Sequence, residues 1–90
     1  MSADTHLRQA HRQLEETVTR ADDSIRDDLR DIAADLASIT AGDQPVDHAV
    51  VDGYLNELRQ ARRDADDAIA AEIDAAIESL SAYREDLDQA

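Results

Sequence analysis

Thr40-Ala41-Gly42-Asp43-Gln44-Pro45-Val46-Asp47-His48 is the one stretch where a long helical pattern visibly stops and restarts. Gly42 sits where a left-handed helix end favours glycine. Pro45 stands where a following helix would begin, its missing N–H costing nothing in a first turn. Asp43 or Asp47 can cap that start. A connection this short makes the flanking helices adjacent and antiparallel.

Outward from the break, both flanks keep a helical phase. On the N-terminal side the seam runs Leu7, His11, Leu14, Val18, Ala21, Ile25, Leu29, Ile32, Leu36, Ile39; its nine steps span 32 residues. On the C-terminal side it runs Val51, Tyr54, Leu58, Ala61, Ala65, Ile69, Ile73, Ala76, Leu80, Tyr83, Leu87; its ten steps span 36 residues. Both means lie close to the helical repeat. The expectation is an all-α antiparallel hairpin forming a single domain over residues 1–90, with helices at about 4–41 and about 47–89 and a turn at about 42–46. Each helix would be roughly 55 Å long at 1.5 Å per residue. Gly53 lies inside the second helix and reads as a tolerated surface glycine.

Sustained periodicity also answers a question raised by composition. The 90 residues carry 22 Asp and Glu against 9 basic residues, a formal charge of −13, and Leu, Ile and Val total only 18. That balance borders on the disordered class, but a disordered chain has no reason to hold a helical phase. The acidity has an unusual make-up: all nine basic residues are Arg, Lys is absent, and Asp outnumbers Glu by 16 to 6 although Glu is the better helix former. Short carboxylates with small apolar residues, including 17 Ala, suit a protein working in molar salt. There the Debye length falls to roughly 3 Å and self-repulsion is screened. A polyanion is a poor direct ligand for DNA or an anionic membrane. No apolar run is long enough to span a bilayer, and no basic-then-apolar leader opens the chain, so a high-salt cytoplasm is the expected location.

An offset of 44 aligns Leu7, Leu14, Ala21-Asp22-Asp23, Ile25, Leu29 and Leu36 with Val51, Leu58, Ala65-Asp66-Asp67, Ile69, Ile73 and Leu80. This is a faint internal repeat of the kind that marks duplicated supersecondary units. The Pro45-Val46-Asp47-His48 step and the closing Ala76-Ile77…Tyr83-Arg84-Glu85…Leu87 resemble a family of short, acidic haloarchaeal proteins. The resemblance implies a two-helix fold and a salt-loving source, and carries no activity with it. Members follow the Asp-His step with a basic residue, where this chain has Ala49-Val50.

Two helices bury one stripe each, which is little against the conformational entropy of ordering them. A homodimer, two hairpins forming a four-helix bundle, is therefore expected, with Val50, Leu55, Leu58, Ile69, Ile73 and Ile77 as contact residues. Hairpin pairing would bring Arg8 and Arg12 near Asp74 and Glu78. Along each helix Glu16–Arg20, Asp22–Arg26, Arg62–Asp66 and Arg84–Asp88 have the spacing of local ion pairs.

Catalytic constellations are missing from the sequence pattern. Cys is absent, Ser24, Ser38, Ser79 and Ser81 fall far from histidine in a hairpin, and no Glu-x-x-His step offers a metal-ligand pair. His6 and His11 are five apart and share no helix face; His11 falls in the apolar seam, where a pH-sensing or metal role competes with a plain structural one. Asp22-Asp23 and Asp66-Asp67 would stack at mid-hairpin among arginines, a belt for loosely held cations. Arg59, Arg62 and Arg63 form the one basic cluster, able to contact an anion or an acidic partner or simply to form an intrahelical ion network. No cofactor is implied. The expected function is a non-enzymatic, self-associating helical interaction protein adapted to high salt, offering helix surfaces to itself or to another protein. The alternative is an acidic regulator linked to nucleic-acid metabolism, as a DNA mimic or the partner of a DNA-binding protein.

Overall fold

The computed structural model describes residues 3–42 and 46–88. They form four helices: α1 (Ala3–Val18), α2 (Asp23–Thr40), α3 (His48–Asp64) and α4 (Asp67–Asp88). The all-α class holds, but the two-helix hairpin does not. Each expected long helix is in fact two, reversing at residues 19–22 and again at 65–66. The whole measures 36 × 21 × 21 Å, far short of a 55 Å rod, and its 12.2 Å radius of gyration is that of a compact chain of this length.

Local chemistry explains both reversals. At the end of α1 the Thr17 carbonyl accepts from Arg20 N–H at 3.0 Å and Ala21 N–H at 2.9 Å. The Thr17 and Thr19 hydroxyls donate back to the Gln13 and Glu16 carbonyls at 2.8 and 2.7 Å, a competition that helps a helix end. Asp22 then turns extended (φ −66°, ψ 155°) as the N-cap of α2. Arg26 clamps the corner, donating to the Ala21 carbonyl at 2.8 Å and pairing with Asp23 at 3.0 Å. In the second half Ala65 is extended (φ −88°, ψ 152°), and the Asp66 carboxylate accepts from Ile69 N–H at 2.9 Å. The Asp66 carboxylate thus satisfies a first-turn donor, as an N-cap aspartate does, whereas Asp22 starts α2 by its extended backbone with no side-chain cap hydrogen bond. Asp22-Asp23 and Asp66-Asp67 are therefore helix starts, not a stacked belt at mid-helix.

The central turn behaves as its residues imply. Gly42 has φ +81° and donates to the Ile39 carbonyl at 3.0 Å. Asp47 caps α3, accepting from Val50 N–H at 2.9 Å. The expected roles of Asp43 and Pro45 lie outside the described residues.

Each helix packs on its neighbours in the chain, and α4 returns against α1 to close an up-down-up-down ring. The four-helix bundle expected from two chains is thus completed by one. Its core is a single cluster spaced alternately by three and four residues: Leu7, Ala10, Leu14, Thr17 and Ala21 in the first segment, Ile69, Ile73, Ala76, Leu80 and Tyr83 in the last. That spacing is the knobs-into-holes pattern of a bundle seam. Ala10 and Thr17 take the buried places in α1, and His11 and Val18 sit beside them, half-buried.

The repeat is visible in three dimensions. Helices α2 and α4 begin at Asp23 and Asp67, 44 residues apart. Leu7, Leu14, Thr17, Ile25, Leu29, Ile32, Leu36 and Ile39 are buried, and so are the residues 44 further on. The chain is two like hairpins, α1–α2 and α3–α4, packed face to face.

Candidate functional site

Because the halves are alike, the α1–α4 seam and the α2–α3 seam occupy equivalent places in the bundle. Three rungs run along the first. His6 meets Asp86 at 3.7 Å, the Ser79 hydroxyl donates to Gln13 Oε1 at 2.9 Å, and Arg20 pairs with Glu72 at 2.9 Å. The rungs are seven residues apart on each strand of the seam, two helical turns per step. Between them lies a small cleft of about 170 Å³ lined by Gln13, Glu16, Thr17, Glu72 and Ala75.

Moving each of those five residues by the repeat of 44 gives Glu57, Gln60, Ala61, Asp28 and Asp31. All five line a larger groove of about 440 Å³ between α2 and α3, joined by Asp35 and Asp64. The same step converts the rungs. Gln13 with Ser79 becomes Glu57 with Asp35, and Arg20 with Glu72 becomes Asp64 with Asp28. Where one seam has a hydrogen bond and an ion pair, the other carries carboxylates at both mate positions, all four lining the groove. Like charges opposed across a seam hold it apart, and α2–α3 is the least extensively packed of the four seams. Ser79 is buried, whereas its mate Asp35 is exposed.

Five carboxylates share this concave strip, with Ala61 as its buried floor. On a helical wheel Arg26, Arg30 and Arg59 fall about 100° or more from every lining position of their own helix, whereas Arg63 stands one turn from Gln60, about 60° away, at 100° per residue. Among the described residues no group of three or more His, Asp or Glu side chains is placed to hold a metal ion.

The residues singled out from sequence are distributed differently. Leu55, Leu58, Ile69 and Ile73 lie in the core of this one chain, and Val50 and Ile77 pack half-buried at its margin. Arg62 is drawn out of the basic cluster to pair with Asp74 at 2.7 Å, bridging α3 to α4, while Arg59 and Arg63 are exposed. Arg84 grips Asp52 across the same seam, Nε at 2.6 Å and Nη2 at 3.4 Å from the two carboxylate oxygens. Arg20, Arg62 and Arg84 therefore reach between helices, and Arg26 takes Asp23 rather than Asp22. His11 pairs with Glu15 of its own helix at 2.8 Å and is turned aside from the core. The α1–α4 register sets Ser79 against Gln13 and His6 against Asp86, so Ser79 has an amide and not an imidazole as its partner. A hairpin would also set α2 beside α3; the groove carboxylates were missed because they lie off the apolar seam, and the signal that exposes them is the loss of the paired residues across the repeat.

The architecture defines a class: a single-chain four-helix bundle of two repeated hairpins. Within that class the chain belongs to the family of unknown function DUF7553, whose family model matches residues 1–86. No curated protein and no solved structure matches it.

Proposed function

We propose that the chain is a non-enzymatic interaction protein adapted to concentrated salt, and that the acidic α2–α3 groove is its contact surface for a cationic segment of another protein. The observation that carries this reading is the groove itself: Asp28, Asp31, Asp35, Glu57 and Asp64 line one strip with no cation among the lining residues. Arginine is the natural complement, because its planar fork takes a carboxylate in two parallel hydrogen bonds. In molar salt long-range attraction is screened within roughly 3 Å, so the partner must seat its cations in direct contact. Association of this kind is short-ranged and shape-dependent, which suits a bounded groove better than a diffuse acidic face. Self-association has lost the motive that an isolated hairpin would have, since the apolar stripe that needed a second copy is covered by the chain's own helices.

The test is nuclear magnetic resonance of the full chain titrated with an arginine-rich helical peptide in molar KCl. Amide shifts confined to α2 and α3 are expected, and Asp31→Asn with Glu57→Gln weakens them severalfold. The matched pair Glu78→Gln and Glu85→Gln, exposed on α4, leaves them intact. Shifts spread evenly over the acidic surface, or equal weakening by both pairs, overturn the proposal.

A further inference from the structure

We propose that the α2–α3 seam is a cation-gated hinge: the two hairpins pivot about the ion-paired α1–α4 seam, and salt sets how far the carboxylate-faced α2–α3 seam opens. The inference concerns motion within the chain and stands whether or not the groove receives a partner.

Three observations combine. First, the two seams are equivalent by the repeat, as the coincidence of their cleft linings demonstrates. Second, their rungs have opposite character. The α1–α4 seam is tied by His6–Asp86, Gln13–Ser79 and Arg20–Glu72. The mates of the last two are Glu57 with Asp35 and Asp64 with Asp28, all four lining the α2–α3 groove. Third, Arg62–Asp74 and Arg84–Asp52 hold α3 to α4, and Arg26 holds the α1–α2 corner. Each hairpin carries polar ties within itself, and between the hairpins, which share one hydrophobic core, the described ion pairs lie along the α1–α4 side.

Distance and screening turn this arrangement into a device. Packed helix axes lie about 8–10 Å apart, so carboxylates opposed across a seam repel within about one Debye length at 0.1 M salt. At 1 M that length is roughly 3 Å and the repulsion between the same groups nearly vanishes. The seam is therefore wide in dilute salt and narrows as cations are added, while the α1–α4 seam, held by attractive rungs, keeps its spacing. Arg26 and Arg30 of α2 and Arg59 of α3 do not face the groove on the helical wheel, and Arg63, one turn from Gln60, stands at its edge.

The absence of Cys from the chain makes the measurement direct. Spin labels at Ala34→Cys and Asn56→Cys report the α2–α3 seam; Arg12→Cys and Glu78→Cys, their equivalents by the repeat, report the α1–α4 seam. Pulsed dipolar distances are taken from about 0.1 M to about 3 M KCl, with helical circular dichroism recorded alongside. The α2–α3 distance is expected to shorten by several ångströms while the α1–α4 distance holds. Asp64→Arg rebuilds on this seam the pair that Arg20 and Glu72 make on the other, and removes the salt response. Glu85→Arg, the same change in net charge on the exposed surface of α4, keeps it. The proposal is overturned if both seams move together, as in simple unfolding, if neither moves, or if the two arginine variants behave alike.

Discussion

Asp66 concentrates much of what aspartate does in this chain. Its side chain accepts the Ile69 N–H and its carbonyl accepts from Ala70, so one short residue both ends a reversal and starts α4. Together with Asp22, Asp23, Asp47 and Asp67, it occupies the start of a helix, where carboxylates also meet the positive end of the helix dipole. The preference for Asp over Glu thus has a structural component. Asp66→Ala is expected to cost about 1 kcal/mol, the usual loss for an N-cap, read as a lowered Tm in molar KCl. The two glycines should respond in opposite directions. Gly42→Ala forces a Cβ into φ +81° and destabilises by about 1 kcal/mol. Gly53 is helical with open space around its missing Cβ, so Gly53→Ala is expected to stabilise by about 0.5–1 kcal/mol. Equal effects at both sites in thermal melts would contradict the turn assigned to Gly42.

At the scale of the helix, mates across the repeat should carry matching loads. Leu14 and Leu58 are 44 apart and both fully buried, one in each hairpin. Leu14→Ala and Leu58→Ala are each expected to cost about 2–5 kcal/mol, and a value near zero for either in chemical denaturation would remove its hairpin from the common core. The same pairing shows what the sequence made legible. Helical class, the Gly42 stop and the Asp47 cap were readable because they rest on local chemistry. The extra reversals were hidden because Val18, Ala21, Ile25 and Ala61, Ala65, Ile69 keep the three-or-four spacing through them. A hydrophobic period records which side of the chain faces the core; it does not record whether the axis continues or folds back. The two Ala-Asp-Asp steps held that information, as caps. Arginine partners were legible only as local spacings, and long side chains preferred neighbours across a seam. The groove needed the third dimension as well as the repeat.

For the whole molecule, completion of the core within one chain changes the expected mass and shape. A dimer of 55 Å hairpins and a single folded-back chain contain the same kind of four-helix core, but they differ by a factor of two in mass and strongly in length. Scattering in molar KCl is expected to give 9.9 kDa and a radius near the 12.2 Å of the Cα trace, a little larger once side chains and hydration are included. Two copies each carrying −13 also repel, and that repulsion is weakest in the salt where the fold is best screened. Any residual association should therefore strengthen as KCl rises. A dimer that forms in dilute salt and dissociates in concentrated salt would mean that Arg59, Arg63 or another cation bridges the copies. That result would move the functional surface from the groove to the outer face of α3.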